Sequence, residues 1–259
     1  MTEHITEKGF LSSLSPKVSF FIGVGTALVI GLVVGFFVLL GIVLKGNARD
    51  TLSARTSNSP SAAAQPAAPS PQPSAPRAIN MAPITDTDWV WGDRNAKVSV
   101  VEYSDTECPF CKRFHPTMQQ LISEYDGKMN WVYRHFPLTS LHPKAPQEAE
   151  ALECAGEQGG NEAFWNYLDR IFAITPSNNG LDPAELPKIA EYVGLNRTEF
   201  ENCIRSGRWV QKVSSQAQDA VDAGGSGTPY SVIVAGDKKI PVSGAVPLEQ
   251  LKSLIDSVL

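Results

Sequence analysis

The sequence predicts an α/β domain with a helical insertion, preceded by one transmembrane helix. Three observations lead to this prediction. Residues 18–44 form an uncharged run of 27 residues, the stretch after it is rich in alanine, proline and serine, and residues 81–259 alternate between strand-like and helix-like patterns. About 180 residues are enough for one domain with its own hydrophobic core.

The uncharged run is long enough to cross a bilayer. At about 1.5 Å per residue, a helix of this length reaches about 40 Å, whereas the hydrocarbon core is about 30 Å thick. No convincing A-x-A cleavage site follows it, so an uncleaved anchor is favoured over a signal peptide. We assign residues 1–17 to a cytoplasmic segment, 18–44 to the anchor, and 45–80 to a partly extended linker.

The orientation of the anchor is predicted from the cysteines. Basic residues lie on both sides of the run, among them Lys17 before it and Lys45 after it, so the positive-inside rule does not decide. The chain has four cysteines, and an even number favours a compartment in which disulfides persist. We therefore expect a single-pass protein of the cell membrane whose domain is extracytoplasmic.

The charge of the domain excludes some functions. Residues 81–259 contain 16 basic and 24 acidic side chains, a net charge of −8, which argues against nucleic-acid binding. The glycine-rich stretch 224–228 lacks the Gly-Lys-Ser/Thr of a phosphate-binding loop and precedes a predicted strand. Nucleotide binding is therefore not expected.

The chemistry is predicted to lie in Cys108-Pro109-Phe110-Cys111. This motif separates a predicted strand at 97–103 from a predicted helix at 110–125. Pro109 suits the first helical position, because its missing N–H would have no partner there. The Cys108 sulfur is then at a helix N-terminus, where the helix dipole stabilises a thiolate. Lys112 and Arg113 are expected to lower the Cys108 pKa further.

Other uses of the cysteine pair are less well supported. With His115 it could form part of a zinc site, but the sequence contains no second C-x-x-C and no H-x-x-x-H. A c-type haem would need histidine at position 112, which is Lys112. A structural bridge over so short a loop would gain little stability. The pattern favours redox chemistry without a metal, and His115 is expected to be a solvated helix residue.

The remaining elements complete the fold prediction. A strand is expected at 129–134, and helices at 146–158, 162–172, 183–193, 198–206 and 210–223. A hairpin of strands 230–235 and 239–243 and a final helix at 247–259 follow. This order predicts a thioredoxin-like fold with a helical insertion at about residues 139–223.

The other two cysteines, Cys154 and Cys203, lie on two predicted helices of the insertion. A disulfide closing a loop of this length would stabilise the fold by about 4 kcal/mol. Two buried free thiols or a second redox pair are the alternatives. His135 and His142, which flank a predicted turn at 136–138, are expected to be loop and packing residues.

The domain resembles the DsbA family of thioredoxin-fold oxidoreductases, in its membrane-anchored or lipoprotein-like bacterial branch. The resemblance covers 89–259 and rests on motifs at 91–96, 101–105, 108–111, 133–138, 151–155, 164–165 and 227–229. It implies a dithiol oxidant, without a cofactor, that passes its disulfide to exported proteins with free thiols. It also implies re-oxidation by a quinone-linked membrane partner.

The resemblance also implies roles for single residues. Cys108 matches the family's exposed nucleophilic cysteine, and Cys111 matches its buried partner. Pro229 matches the cis-proline that faces the active site, and Thr228 matches the residue lining the substrate groove before it. Glu102 matches the buried acid beneath the disulfide.

The chain departs from the family's strongest oxidants at Phe110, where they carry histidine. Because phenylalanine cannot supply a positive charge to the thiolate, the direction of the reaction stays open. A reductase or isomerase on the same fold is one alternative. A module that binds copper or zinc through Cys108 and Cys111 is another.

Overall fold

The computed structural model describes residues 79–259 together with Val33, Phe36 and Phe37. The three isolated residues are helical and exposed. Among the residues described, no helix combines the length and the apolar character that a membrane span requires. The rest of the predicted anchor at 18–44, and the linker as far as residue 78, lie outside the described residues.

A five-stranded mixed sheet forms the centre of the domain. Its strands are β1 (Trp89–Gly92), β2 (Val98–Ser104), β3 (Met129–His135), β4 (Tyr230–Ala235) and β5 (Lys238–Ser243), in the spatial order β1-β3-β2-β4-β5. Strands β2 and β3 are parallel, and the other pairs are antiparallel. Strand β1 was not predicted, because four residues at a sheet edge carry too little alternation to indicate a strand.

The two central strands are covered on both faces, as parallel pairs usually are. On one face, Val98 and Val100 of β2 pack in the larger apolar cluster with Trp131 of β3. On the other face, Val101 and Tyr103 pack in a second cluster. Period-2 alternation therefore places Glu102 on the same face as Val98 and Val100.

Helix α1 (Pro109–Glu124) connects β2 to β3 and buries one side against the sheet. Cys108 is its N-cap, with extended φ and ψ of −78° and 121°, and Pro109 is the first helical residue. The helix continues past Pro116 to Glu124. The predicted transition from strand to helix at the cysteine motif is thus confirmed.

The predicted helical insertion is present between β3 and β4. It consists of α2 (Ala145–Ile174), a 3-10 turn (Pro183–Glu185), α3 (Leu186–Tyr192), α4 (Arg197–Ser206) and α5 (Val210–Asp222). Gly160 interrupts α2 with φ 72° and ψ −163°, which is where the sequence predicts a break. The final helix of the chain is α6 (Leu248–Asp256).

A buried arginine ties three parts of the chain together. Arg134 at the end of β3 forms ion pairs of 2.9 Å with Asp88 and 2.7 Å with Asp219 of α5. It also donates to the carbonyl oxygens of Ala82 and Pro83. A buried charge needs such partners, since an unpaired one would be costly. This network fixes the chain before β1 and helix α5 against one face of the sheet.

Candidate active site

The two thiols of the Cys108–Cys111 motif lie at the junction of β2 and α1, and both are free. A turn after β2 is closed by a bond from the Cys108 N–H to the carbonyl of Asp105, 3.1 Å away. The N–H of Lys112 then bonds to the Cys108 carbonyl at 3.0 Å, which begins the helix. The Cys108 sulfur is therefore held at the N-terminal end of α1.

Cys108 is less accessible than the expected exposed nucleophile. It is 4% exposed, and Cys111 is 0% exposed. One reason is a contact across the fold, because the Cys108 Sγ lies 3.4 Å from the carbonyl oxygen of Thr228. The two cysteines therefore differ only slightly in solvent exposure, and Cys108 is the one that retains some access to solvent.

The residue that covers Cys108 belongs to the chain segment leading into β4. The Thr228–Pro229 peptide bond is cis. The Thr228 hydroxyl is buried and has no hydrogen-bond partner among the described residues. This arrangement places both a carbonyl acceptor and a spare hydroxyl donor beside the sulfur.

The pKa of Cys108 is lowered to about 6. The largest cause is a hydrogen bond from the Cys111 thiol, followed by the Thr228 side chain and the backbone N–H groups of Cys111 and Phe110; burial acts in the opposite direction. Burial raises the pKa of Cys111 well above its ordinary value. The pair therefore ionises at Cys108, and Cys111 keeps its proton.

The basic residues of α1 do not act on the thiolate as predicted. The Lys112 Nζ donates to the carbonyl oxygen of Thr175 at 2.5 Å. The Arg113 guanidinium lies over the Phe110 ring, 5.1 Å from its centroid, and Phe110 itself is 52% exposed. Hydrogen bonds, rather than these two cations, stabilise the Cys108 thiolate.

Glu102 lies on the same face of the sheet as α1 and is 1% exposed. Burial raises its pKa to about 7. One of its carboxyl oxygens, the Ser104 hydroxyl and the Tyr133 hydroxyl are buried without hydrogen-bond partners among the described residues. Such a polar but poorly satisfied environment favours the neutral carboxyl group over the carboxylate.

The expectation that His115 is solvated is wrong. It is 4% exposed, and its Nε2 lies 2.6 Å from an oxygen of Asp169 on α2. Its ring packs against Trp131 and Phe172, because the insertion covers this side of α1. Within the described part of the chain, no three His, Cys, Asp or Glu side chains are placed to hold a metal ion.

His135 and His142 are packed in the interior. Each is paired with a carboxyl group, His135 with Glu153 at 3.0 Å and His142 with Asp105 at 2.9 Å. Cys154 of α2 and Cys203 of α4 are joined by a disulfide. The two bonded cysteines are 49 residues apart in sequence, so the bridge ties α4 to α2.

The sequence patterns did not indicate Glu107, which precedes the nucleophile and is fully buried. Its carboxylate accepts hydrogen bonds from the backbone N–H groups of Gly180 and Leu181. Nothing in the local pattern marks it, because its partners lie more than 70 residues later.

The sequence pattern of the thioredoxin family matches residues 84–257. The chain belongs to this family. Among solved structures, Pseudomonas aeruginosa DsbA2 is 29% identical, with a TM-score of 0.60 over 68% of this chain and 97% of that one. A thioredoxin-like oxidoreductase from Silicibacter pomeroyi is 25% identical, with a TM-score of 0.56 over 67% of this chain and 92% of that one. These similarities support the predicted DsbA resemblance and a thiol–disulfide oxidoreductase fold.

Sequence similarity extends to part of a much longer protein. The Na(+)/H(+) antiporter NhaA 3 of Salinispora tropica is 38% identical over 150 residues, which are 58% of this chain and 22% of the antiporter. The chain therefore spans about a fifth of the length of this relative.

Proposed function

We propose that this protein is an oxidase that introduces disulfides into exported proteins through Cys108 and Cys111. One observation carries the proposal: the Cys108 thiolate is stabilised by hydrogen bonds while its partner thiol stays protonated. A stable thiolate favours the reduced form of the protein, and a dithiol that prefers to be reduced is a good oxidant of other thiols.

The exchange begins from the Cys108–Cys111 disulfide. A substrate thiolate attacks the Cys108 sulfur, the Cys108–Cys111 bond breaks, and Cys111 leaves as a thiolate. A second substrate thiolate then attacks the substrate sulfur of the mixed disulfide and displaces Cys108. Two electrons pass from the substrate to the protein, which gains the dithiol while the substrate gains a disulfide. The low pKa of Cys108 makes it the better leaving group in the second step.

Glu102 has a role in the first step. The thiolate left on Cys111 is buried and must gain a proton, since burial disfavours its charge. Glu102 lies close enough to Cys111 for its charge to raise the pKa of that thiol. With its own pKa near 7, Glu102 holds a proton during part of the cycle and can supply it.

The cellular setting is part of the same proposal. The uncharged run at 18–44 and the proline-rich linker support a single-pass anchor with the domain outside the cytoplasmic membrane. There the domain would meet exported proteins with free thiols and a quinone-linked partner that re-oxidises it. Trypsin added to intact spheroplasts should remove the domain from the membrane, and protection of the domain would contradict this orientation.

The test of the oxidase function is the reduction potential of the Cys108–Cys111 couple, measured by equilibration against glutathione. We expect a potential more oxidising than thioredoxin's, which is about −270 mV. The oxidised protein should also restore activity to a reduced, unfolded protein with several cysteines. A potential at or below the thioredoxin value would overturn the oxidase proposal.

The reductase or isomerase alternative is favoured by one observation, the uncharged Phe110 between the cysteines. A potential below thioredoxin's, together with reduction of mispaired disulfides, would support it. The metal-binding alternative predicts copper or zinc bound in equal amount to the protein after anaerobic purification. Elemental analysis of wild type and of a Cys108→Ser/Cys111→Ser variant separates that class from both redox functions.

A further inference from the structure

The buried sulfur of Cys111 accepts a hydrogen bond from the backbone. The N–H of Asp105, the residue that follows β2, lies 3.5 Å from the Cys111 Sγ. Because Cys111 is fully buried, water cannot reach its sulfur. Any negative charge that forms on this sulfur therefore has to be stabilised by donors that belong to the fold.

Negative charge forms on Cys111 each time the disulfide opens. An incoming thiolate bonds to the Cys108 sulfur, the Cys108–Cys111 bond breaks, and the electron pair of that bond moves to the Cys111 sulfur. Burial disfavours this charge. A hydrogen bond to a charged acceptor is stronger than one to a neutral acceptor. A donor already in position therefore stabilises the leaving thiolate and the transition state that precedes it.

The peptide group that carries this N–H is held from its other side. The Ser104 carbonyl belongs to the same planar, trans peptide group. Its oxygen accepts a hydrogen bond of 2.8 Å from the N–H of Phe136. Because the C=O and N–H of a trans peptide point in opposite directions, the bond from Phe136 fixes the direction in which the Asp105 N–H points, toward the Cys111 sulfur.

The carboxylate of Asp105 holds the same residue in place. One of its oxygens accepts from the N–H of Leu138 at 2.8 Å and lies 2.9 Å from the Nδ1 of His142. The other oxygen accepts from the N–H of Glu107 at 2.8 Å. Both side chains of the His142–Asp105 pair are buried. A buried side chain with three such contacts cannot rotate without losing them, so the turn after β2 stays in one conformation.

Three of these contacts come from residues 136–142, which lie between β3 and α2 and which we term the 136–142 segment. We propose that this segment positions the Asp105 N–H to stabilise the Cys111 thiolate as it leaves, and that His142 is a positioning residue for this step. The negative charge of Asp105 by itself would oppose a nearby thiolate, so the residue acts through its backbone geometry. The proposal rests on thiol–disulfide exchange at Cys108 and Cys111, whichever its direction.

The two steps of the exchange differ in the sulfur that leaves. Cys111 leaves when the disulfide opens, whereas Cys108 leaves when the mixed disulfide is resolved. The Cys108 thiolate is stabilised by other groups, among them Thr228 and the backbone of Phe110. Misalignment of the Asp105 N–H should therefore slow opening and leave resolution unchanged. A general loosening of the active site would change both rates, because both reactions take place at Cys108.

A single substitution in the segment separates these two rates. His142→Phe removes the polar contact to Asp105 and keeps an aromatic ring. Opening is measured as the second-order rate constant for reduction of the oxidised protein by dithiothreitol at a fixed pH. We expect His142→Phe to lower this rate constant by about fivefold or more, since hydrogen bonds to charged groups are the stronger ones.

Resolution is measured in the Cys111→Ala background. The mixed disulfide of Cys108 with glutathione is prepared and mixed with dithiothreitol, and absorbance at 240 nm reports the appearance of the Cys108 thiolate. The rate should be the same with and without His142→Phe, because the Asp105 N–H does not contact the sulfur that leaves in this step.

Two further variants serve as controls. The asparagine amide can place an N–H close to the position of the histidine Nδ1, so His142→Asn should restore opening to within about twofold of the wild-type rate. Leu141 lies in the same segment with its side chain exposed, and Leu141→Ala should open at the wild-type rate.

Asp105→Asn separates geometry from charge and decides the question if His142→Phe does not fold. It keeps the size of the side chain, but its amide nitrogen replaces one of the two oxygens that accept from backbone N–H groups. If the charge of Asp105 dominated, its removal would speed opening, whereas loss of the positioning contacts should slow it. The proposal would be overturned by equal opening rates in wild type and His142→Phe, by equal slowing of both steps, or by opening that is not slowed in Asp105→Asn.

The result does not depend on the direction of catalysis. A reduction potential at or below that of thioredoxin would overturn the oxidase proposal, yet the opening rates would still compare the same reaction in wild type and variants. Conversely, equal opening rates in a protein with an oxidising potential would refute the positioning role of His142 and leave the oxidase function standing.

Discussion

The Cys108 thiol donates a hydrogen bond to the carbonyl oxygen of Thr228 over 3.4 Å, although 120 residues separate them in the chain. The same residue has a buried hydroxyl without a partner among the described residues. In the thiol form the carbonyl accepts from the sulfur, and in the thiolate form the hydroxyl can donate to it. Thr228 is thereby suited to stabilise both protonation states of the nucleophile.

Removal of the hydroxyl should therefore raise the pKa of Cys108. We expect Thr228→Val to raise it by roughly one unit, which is about 1.4 kcal/mol and, for a two-electron couple, about 30 mV toward a more reducing potential. Thiolate absorbance at 240 nm as a function of pH, with Cys111→Ala as the background in both proteins, measures the pKa. Thr228→Ser retains the hydroxyl and should stay close to wild type.

The two active-site cysteines should have different mutant phenotypes. Cys108→Ala should abolish dithiol oxidation, because Cys111 is fully buried and cannot accept attack from a protein thiol. In Cys111→Ala, the Cys108 thiolate can attack a substrate disulfide and release the other substrate sulfur as a thiolate; the mixed disulfide should then accumulate, because Cys111 is absent and cannot displace the substrate from Cys108. Mass spectrometry of trapped complexes distinguishes the two variants. Residual oxidase turnover in Cys108→Ala would reverse the assignment of roles.

Phe110 provides a test of how charge tunes the couple. Its ring is half exposed and lies against Arg113, so a histidine should be accommodated at this position. Phe110→His should lower the pKa of Cys108 and make the couple more oxidising by about 5–20 mV, since a nearby cation contributes about 0.3–1 kcal/mol to a partly exposed anion. Phe110→Leu is the matched uncharged control. A more reducing potential in Phe110→His would contradict this account.

Glu102 should make the stability of the reduced protein depend on pH. Its pKa is about 7 in the fold and 4.5 in the absence of the fold, so between these values the unfolded chain loses a proton that the folded protein keeps. Stability contributed by this group is therefore lost as pH rises from 4.5 to 7. Relative to wild type, Glu102→Gln should gain roughly 3 kcal/mol in the free energy of unfolding across this window.

Urea unfolding of the reduced protein at pH 4.5, 6 and 7.5 measures the effect. The exposed substitution Glu162→Gln should leave the pH dependence of wild type intact. An unchanged difference between wild type and Glu102→Gln at the three pH values would show that Glu102 is already ionised in the fold.

The two disulfides of the oxidised protein should open under different conditions. The Cys154–Cys203 bridge closes a loop of 49 residues and should stabilise the fold by about 4 kcal/mol on chain-entropy grounds. Mild reductant should open Cys108–Cys111 and leave Cys154–Cys203 intact, because structural disulfides have lower reduction potentials than catalytic ones. Peptide mapping after alkylation checks this, and free Cys154 and Cys203 in the protein purified without reductant would contradict it.

Much of the architecture was predictable from local patterns. Three features depend only on residues close together in sequence: the transition from β2 to α1 at Cys108, the break of α2 at Gly160 and the β4–β5 hairpin. Local backbone preferences and hydrophobic periodicity are enough to indicate such features. The edge strand β1 was not predicted, because it forms by pairing with β3, and its own four residues show no strand pattern.

The interaction partners of the charged side chains near Cys108 were not predictable from local patterns. The sequence places Lys112 and Arg113 near Cys108. In the structure, however, the Lys112 ammonium donates to the carbonyl oxygen of Thr175, and the Arg113 guanidinium lies over the Phe110 ring. Likewise His115, polar and next to a proline, is buried once α2 packs over α1. Which partner a long or polar side chain meets depends on segments that are distant in sequence.

By itself, the sequence determined the strand–helix junction that carries the two cysteines, the helical insertion and the resemblance to a family of disulfide exchangers. The family resemblance implied a buried Glu102 and a Thr228 beside the active site. Only the tertiary structure decided which atoms meet there: the Thr228 carbonyl accepts from the Cys108 sulfur, and the Glu107 carboxylate accepts from the N–H groups of Gly180 and Leu181. The physical reason is the separation along the chain of the residues that determine each property. Secondary structure is governed by neighbours within a few residues, whereas a pKa depends on burial and hydrogen-bond partners that folding brings from far along the chain.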